Sequence, residues 1–215
     1  MSEPGVETPD ERPHRRREYS GPGSTLGLAA LVVIVVAGLI WWFEFRGNGD
    51  LAGSRAHGLG VVGLPQELNP TGRVPVAEEG RAAPDFRLAS LDGEPVQLTQ
   101  FRGKYVLVNF WASWCGPCRG ETPELVALSQ RTEGQGLVVI GVNQQEGHNT
   151  AASFANEFAV TYPVLLDPDG EVSVAYRVGS GLPITMLIDP TGVVRHVYIG
   201  QLDAADLAQI EEEAT

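Results

Sequence analysis

The 215-residue sequence predicts an α/β domain, a sheet with helices on both faces, and three observations carry that prediction. Two short apolar runs, Tyr105–Phe110 and Leu137–Val142, are of the kind that form strands buried on both sides. Stretches of helical character follow each of them, so strands and helices alternate. Near the C-terminus, Ile184–Ile188 and Val193–Ile199 flank Asp189-Pro190-Thr191-Gly192, whose residues favour a turn, and a last helix closes the chain.

Taken in order, residues 1–24 are rich in Pro, Gly, Ser and charge with little to bury, and are expected to be disordered. From Gly21 to Phe43 no residue is charged. The apolar stretch Leu26–Phe43 holds 18 residues, about 27 Å as a helix and close to the thickness of a hydrocarbon core. Trp41, Trp42 and Phe43 end it with rings suited to a membrane interface. Arg12, Arg15, Arg16 and Arg17 precede the span and only Arg46 follows closely, which places the N-terminus in the cytoplasm and the rest outside. We expect residues 25–43 to be an uncleaved transmembrane signal-anchor; a cleavable signal peptide and a buried core helix are the alternatives. Residues 44–80 are expected to be a flexible extracytoplasmic linker, since 11 of the 37 are Gly or Pro and neither strand nor helix period is present. Within it Val61-Val62-Gly63-Leu64 could dock on the domain, but nothing forces it to.

The globular domain is assigned to residues 81–215. Phe86-Arg87-Leu88 and Val96-Gln97-Leu98 alternate apolar and polar residues around Asp92-Gly93, which predicts a hairpin. The strand to Phe110 and a helix from about Gly116 come next, with Pro123 inside the helix removing the bond to the Arg119 carbonyl. Asn149–Phe158 reads as a helix with Phe154 and Phe158 on one face. A short extended piece, Val164-Leu165-Leu166, precedes a turn at 167–170 and a short helix to Tyr176. Asp203 can cap the last helix, with Leu207 and Ile210 facing inward.

Composition narrows the function. A formal net charge of −12 and a pI near 4.7 argue against a nucleic-acid partner, which calls for a basic face. Two cysteines exclude a disulfide-rich scaffold. Those two, Cys115 and Cys118, fall at the junction between the Tyr105–Phe110 strand and the following helix, where Pro117 is tolerated in the first turn. A thiol there faces unpaired N–H groups and the positive end of the helix dipole, which favour the thiolate. The second thiol, one turn on, can close a disulfide with the first. Redox chemistry is the leading reading. A structural disulfide would restrict so short a loop by only roughly 2 kcal/mol. A zinc site would need two further ligands, and His148 and His196 stand at no recognisable spacing.

The run Val108-Asn109-Phe110-Trp111-Ala112-Ser113-Trp114-Cys115-Gly116-Pro117-Cys118-Arg119-Gly120-Glu121-Thr122-Pro123 resembles the thioredoxin superfamily at its Trp114–Cys118 pentapeptide. As a whole it is similar to the membrane-anchored TlpA/ResA-like, cytochrome c maturation-type thioredoxins. Asn109 stands where thioredoxin carries a buried acid, and Glu121 where the TlpA/ResA-like proteins often carry a glutamate. The resemblance covers about residues 81–213. It implies a thioredoxin fold with an N-terminal β-hairpin and a central insertion, preceded here by the one transmembrane helix.

The resemblance also implies roles. Cys115 would attack a partner disulfide and Cys118, buried, would resolve the mixed disulfide. Glu121, three residues after Cys118 on the same helix face, would have a raised pKa if shielded from water and could take the Cys118 proton; a solvated helix glutamate is the plainer alternative. Pro183 matches the family's cis-proline, with Leu182 before it offering main-chain hydrogen bonds to an extended substrate, although most X–Pro bonds are trans. Trp114, next to the nucleophile, would form an apolar substrate-facing rim, while Trp111 is as well explained as core. Gly116-Pro117 is the dipeptide of reducing thioredoxins. The expected activity is thus a membrane-tethered, extracytoplasmic thiol–disulfide oxidoreductase, reducing protein disulfides, with apocytochrome c as one candidate substrate and a membrane-embedded thiol carrier as electron donor. No bound cofactor is implied beyond the Cys115–Cys118 pair, and no metal. A disulfide-forming oxidase, a peroxiredoxin-like thiol peroxidase and a non-catalytic adaptor or metallochaperone are the alternatives.

Overall fold

The computed structural model describes residues 27–28, 30–38, 58–179 and 181–214. The chain divides into two units, residues 1–49 and 50–215. In the first, residues 30–38 are helical and their aliphatic side chains exposed. No helix among the described residues is long and apolar enough to cross a membrane. The expected disordered segment 1–24, both ends of the expected span 25–43 and the first part of the expected linker, 44–57, lie outside the described residues.

The second unit is built on one mixed sheet. Its strands are β1 (Gly60–Val61), β2 (Phe86–Ser90), β3 (Pro95–Gln97), β4 (Tyr105–Trp111), β5 (Leu137–Gln144), β6 (Val164–Asp167), β7 (Ile184–Ile188) and β8 (Val194–Ile199). Helices α1 (Gly116–Arg131), α2 (His148–Glu157), α3 (Glu171–Ala175) and α4 (Ala204–Ala214) connect or follow them. The strand order is β1-β2-β6-β5-β4-β7-β8, with β3 paired to β2. Strands β4, β5 and β6 run parallel, as the helical crossovers between them require, while β7 lies antiparallel to β4 and β8 to β7. This is the expected α/β arrangement, with the N-terminal hairpin and with β6 and α3 as the central insertion.

Strand alternation decides what meets the site. On β4, Val106, Val108 and Phe110 point to one face, where they join a core with Phe86, Leu98, Val172 and Tyr176. Leu107 and Trp111 point to the other, joining Leu125, Leu128, Phe154, Leu207 and Ile210. Asn109 shares the second parity and is therefore turned toward helix α1, where its amide meets Glu121. The cross-strand register Asn109↔Thr185 puts a second polar residue beside it.

The expected linker needs correction. Residues 58–80 are folded onto the domain: Gly60 and Val61 pair with Arg87 and Phe86, and the Val62 amide donates to the Asp85 carbonyl at 3.0 Å. Further on, the Val76 amide donates to the Ala82 carbonyl and that of Gly80 to the Val194 carbonyl, at 2.9 and 2.8 Å. The first half of β2 supplies the partners for Gly60 and Val61, and the stretch before β2 and the start of β8 supply those for Val76 and Gly80. A two-residue strand between glycines leaves no periodic trace in the sequence. The hairpin is placed as expected, but its second arm is shorter, since Leu98 already begins a 3-10 turn over Leu98–Phe101.

Asp85 fastens that hairpin. It is 1% exposed, and its carboxylate accepts from the Phe86 amide, Gln97 Nε2, the Thr99 amide and Thr99 Oγ1 at 3.1, 2.6, 3.2 and 3.2 Å. Truncation would leave buried donors unpaired. Asp85→Ala is expected to cost roughly 2–3 kcal/mol, read as a lower urea midpoint at unchanged slope.

Candidate redox site at the head of helix α1

Strand β4 ends at Trp111, and a tight turn closed by the Cys115 amide on the Ala112 carbonyl, at 3.1 Å, leads directly into helix α1. Cys115 is the N-cap, with extended backbone (φ −78°, ψ 109°), and its Sγ accepts the Cys118 amide at 3.2 Å. Pro117 sits in the first turn, where a missing N–H removes no helix bond. Cys115 and Cys118 form a disulfide with Cα atoms 5.3 Å apart. Both sulfurs lie inside, Cys115 4% exposed and Cys118 fully buried, so only the edge of Cys115 reaches solvent in this oxidised form. Trp114, 68% exposed, projects beside it, and Gly116 and Pro117 are exposed as well. Trp111 is core: its ring stacks on Phe154 with centroids 4.2 Å apart.

Glu121 lies one turn beyond Cys118 and is 2% exposed. Asn109 Nδ2 donates to its Oε1 at 2.8 Å, and the Leu202 amide donates to its Oε2 at 3.0 Å. Burial raises its pKa from 4.5 to about 6, against the opposing pull of the Leu202 and Asn109 bonds. Asn109 also donates to Thr185 Oγ1 at 2.9 Å, so β4 and β7 jointly aim the amide at the carboxylate. A carboxyl of this kind can exchange a proton near neutral pH.

The Leu182–Pro183 peptide is cis. Pro183 is buried just before β7, while Leu182 is partly exposed and touches both cores. The Pro183 carbonyl accepts the Gly200 amide at 2.9 Å. Since β7 runs antiparallel to β4, its first residue, Ile184, pairs with Phe110, which brings the proline to the end of the sheet that carries the cysteines.

Three contributors, Thr185, the Leu202 amide and Glu146, are not anticipated from the sequence, and Asn109 is marked there only as standing in place of thioredoxin's buried acid, without a role. Thr185, like Asn109, is a polar position within an otherwise apolar strand, a signal that could have marked it. The Leu202 amide left no such signal. Glu146, after β5, accepts from the Ser113 amide and Ser113 Oγ at 2.8 and 2.6 Å and from Asn143 Nδ2 at 2.7 Å, pinning the turn before Cys115 to the end of β5. The two domain histidines are engaged elsewhere, His148 with the Leu91 carbonyl and His196 with Glu213. Among the described residues no group of three His, Cys, Asp or Glu could hold a metal ion.

Comparison with known proteins agrees with this geometry. The profile of the AhpC/TSA family matches residues 80–197. Thiol-disulfide oxidoreductase ResA of Geobacillus thermodenitrificans is 39% identical over 130 residues, which cover 60% of this chain and 74% of that protein. ResA of Bacillus subtilis is 38% identical over 124 residues, covering 58% and 69% respectively. Among solved structures, a thiol:disulfide interchange protein of the thioredoxin family from Chlorobium tepidum superposes with a TM-score of 0.57 at 28% identity, over 66% of this chain and 97% of that one.

Proposed function

We propose, for a chain that belongs to the AhpC/TSA family and is similar to its ResA-type members, that the two cysteines reduce protein disulfides on the outer side of a cytoplasmic membrane. The protein is a thiol–disulfide oxidoreductase of the thioredoxin type. The observation that carries the proposal is a disulfide at a helix N-terminus with a buried carboxyl, titrating near 6, one turn behind it.

In the proposed cycle the reduced protein presents Cys115 as a thiolate, stabilised by the Cys118 amide and the helix dipole. Its sulfur attacks one sulfur of the substrate disulfide; that bond breaks and the other substrate sulfur leaves as a thiolate. Cys118 then gives its proton to Glu121 and attacks Cys115 Sγ, releasing the second substrate sulfur. Two electrons have moved to the substrate, and the Cys115–Cys118 bond is formed. Leu182, oriented by the cis bond to Pro183, holds the substrate segment by main-chain bonds, and Trp114, Gly116 and Pro117 give it an apolar rim. A dithiol supplies the two electrons that return the protein to its starting state, with Glu121 handing its proton back to Cys118; the dithiol is oxidised to a disulfide, and its two protons pass through water to the two substrate thiolates. On the outer face that dithiol belongs to a membrane-embedded carrier, and apocytochrome c cysteines are a fitting substrate. Residues 25–43 serve as the anchor that keeps the domain at that face, with the N-terminus cytoplasmic.

Two measurements test this. The Cys115/Cys118 couple is expected near or below about −250 mV, whereas a value near −120 mV would assign the protein to disulfide formation. A topology reporter fused after residue 215 is expected to be active only outside the cytoplasm, and cytosolic activity would overturn the localisation.

A further inference from the structure

We propose that Gly120 is a positioning residue for the proton acceptor: its bare Cα leaves the room in which the Gln201 side chain lies, and so lets the strap Gly200–Gln201–Leu202 rest against helix α1 with the Leu202 amide on Glu121. The proposal rests on Glu121 being the group that serves Cys118, and deepens it by naming what fixes that group.

The strap has three attachments. Its first residue donates through the Gly200 amide to the Pro183 carbonyl at 2.9 Å. Its last donates through the Leu202 amide to Glu121 Oε2 at 3.0 Å, and the Leu202 side chain is buried in the core that also contains both cysteines. Between them the Gln201 side chain lies across Gly120: a Cβ added there would stand 3.2 Å from both Gln201 Nε2 and Gln201 Oε1. A Cβ at position 120 would press on the end of the exposed Gln201 side chain, which would have to give by a few tenths of an ångström, and a branched side chain such as leucine would displace it. Gly120 is an exposed position inside helix α1, where glycine weakens the helix relative to alanine or leucine, and its backbone has no positive φ that would demand glycine. The close approach of Gln201 is the feature that glycine permits. One strap thus ties the segment proposed to bind substrate, through Pro183, to the carboxylate proposed to take the proton.

The groups around Glu121 leave its titration readable. Helix α1 contributes Cys118, which does not titrate in the disulfide form, and Arg119, which is paired with Glu157. Strand β4 contributes Asn109, β7 contributes Thr185 behind it, and the segment before β6 contributes Tyr162, whose phenol is pushed far up by burial. The strap itself brings no ionisable side chain.

The test is a carboxyl-carbon NMR titration of the oxidised full-length chain in detergent micelles, with Glu121 assigned by substitution. Gly120→Leu is expected to lift the strap, admit water and move the Glu121 midpoint from about 6 toward 4.5. Gly120→Ala should shift it in the same direction by less. Adding Gln201→Ala to Gly120→Leu makes room for the leucine and should return the midpoint to about 6. A midpoint unchanged or raised in Gly120→Leu, or one that the second substitution fails to restore, overturns the proposal. Greater thermal stability without a change in midpoint is what a merely structural Gly120 would give. The titration involves no turnover, so it reads the strap even if Glu121 were not the proton acceptor; that failure would show separately, as a Glu121→Gln protein with an unaltered rate profile.

Discussion

Cys118→Ser protein incubated with a disulfide substrate is expected to stop at a stable mixed disulfide on Cys115. The N-cap sulfur retains the Cys118-position amide and the helix dipole, so the first attack still occurs. What is lost is the second sulfur, which in the wild type sits one helical turn away and already bonds the first. A serine hydroxyl cannot displace a thiolate from Cys115, so the adduct persists until an external thiol removes it. Cys115→Ser is expected to form no adduct and to reduce insulin at the rate of buffer alone, because Cys118 is fully buried and cannot reach a partner disulfide. Non-reducing electrophoresis followed by mass spectrometry of the adduct reads both outcomes and identifies the natural substrate when the trap is expressed in cells. Equal trapping by the two variants would overturn the assignment of roles. So would peroxide turnover by Cys118→Ser, which would assign the site to thiol peroxidation.

The parts of this site that the sequence disclosed are those made by neighbours along the chain. Cys115, Pro117, Cys118 and Glu121 lie within two turns of one helix, and helical spacing alone places the glutamate behind the second cysteine. The β4 and β5 strands are legible because parallel strands covered on both faces are apolar along most of their length, with Asn109 the one polar position in the run Tyr105–Phe110 apart from the Tyr105 hydroxyl. What stayed hidden is what the sheet brings together across distance. Asn109 meets Thr185, 76 positions later, only through the β4–β7 register, and the Leu202 amide reaches Glu121 across 81 positions. Backbone amides have no identity in a sequence, so a bond of that kind cannot be read from composition or period. The same holds for residues 58–80: their bonds to Asp85, Ala82 and Val194 involve main-chain atoms of a segment whose side chains look like those of a linker. The cis state of Pro183 was expected from family resemblance, because nothing local distinguishes it from a trans proline.

Glu121→Gln is expected to lower the rate of mixed-disulfide resolution at pH 7 by roughly 10²-fold and to remove the rate limb centred near 6. The limb arises because only the ionised carboxylate can accept the Cys118 proton; as pH rises through about 6 the acceptor appears. Stability should move in the opposite sense. The carboxyl is raised from an ordinary 4.5 to about 6 by burial, so the folded state binds its proton more tightly than the unfolded chain does. Stability is therefore greatest below pH 4.5 with respect to this group and falls as pH rises to about 6. The loss amounts to about 2 kcal/mol above that window. Glutamine cannot ionise and flattens this dependence. It also offers one acceptor oxygen where Asn109 Nδ2 and the Leu202 amide each require one, so a donor is left facing the glutamine NH2 at a cost of roughly 1–3 kcal/mol. The two effects oppose each other at pH 7, where denaturant unfolding should find the variant close to wild type, and they separate at pH 4, where only the cost remains. A rate limb that survives near pH 6 in Glu121→Gln would assign that ionisation to the Cys115 thiol and leave the buried glutamate without a part in the proton transfer.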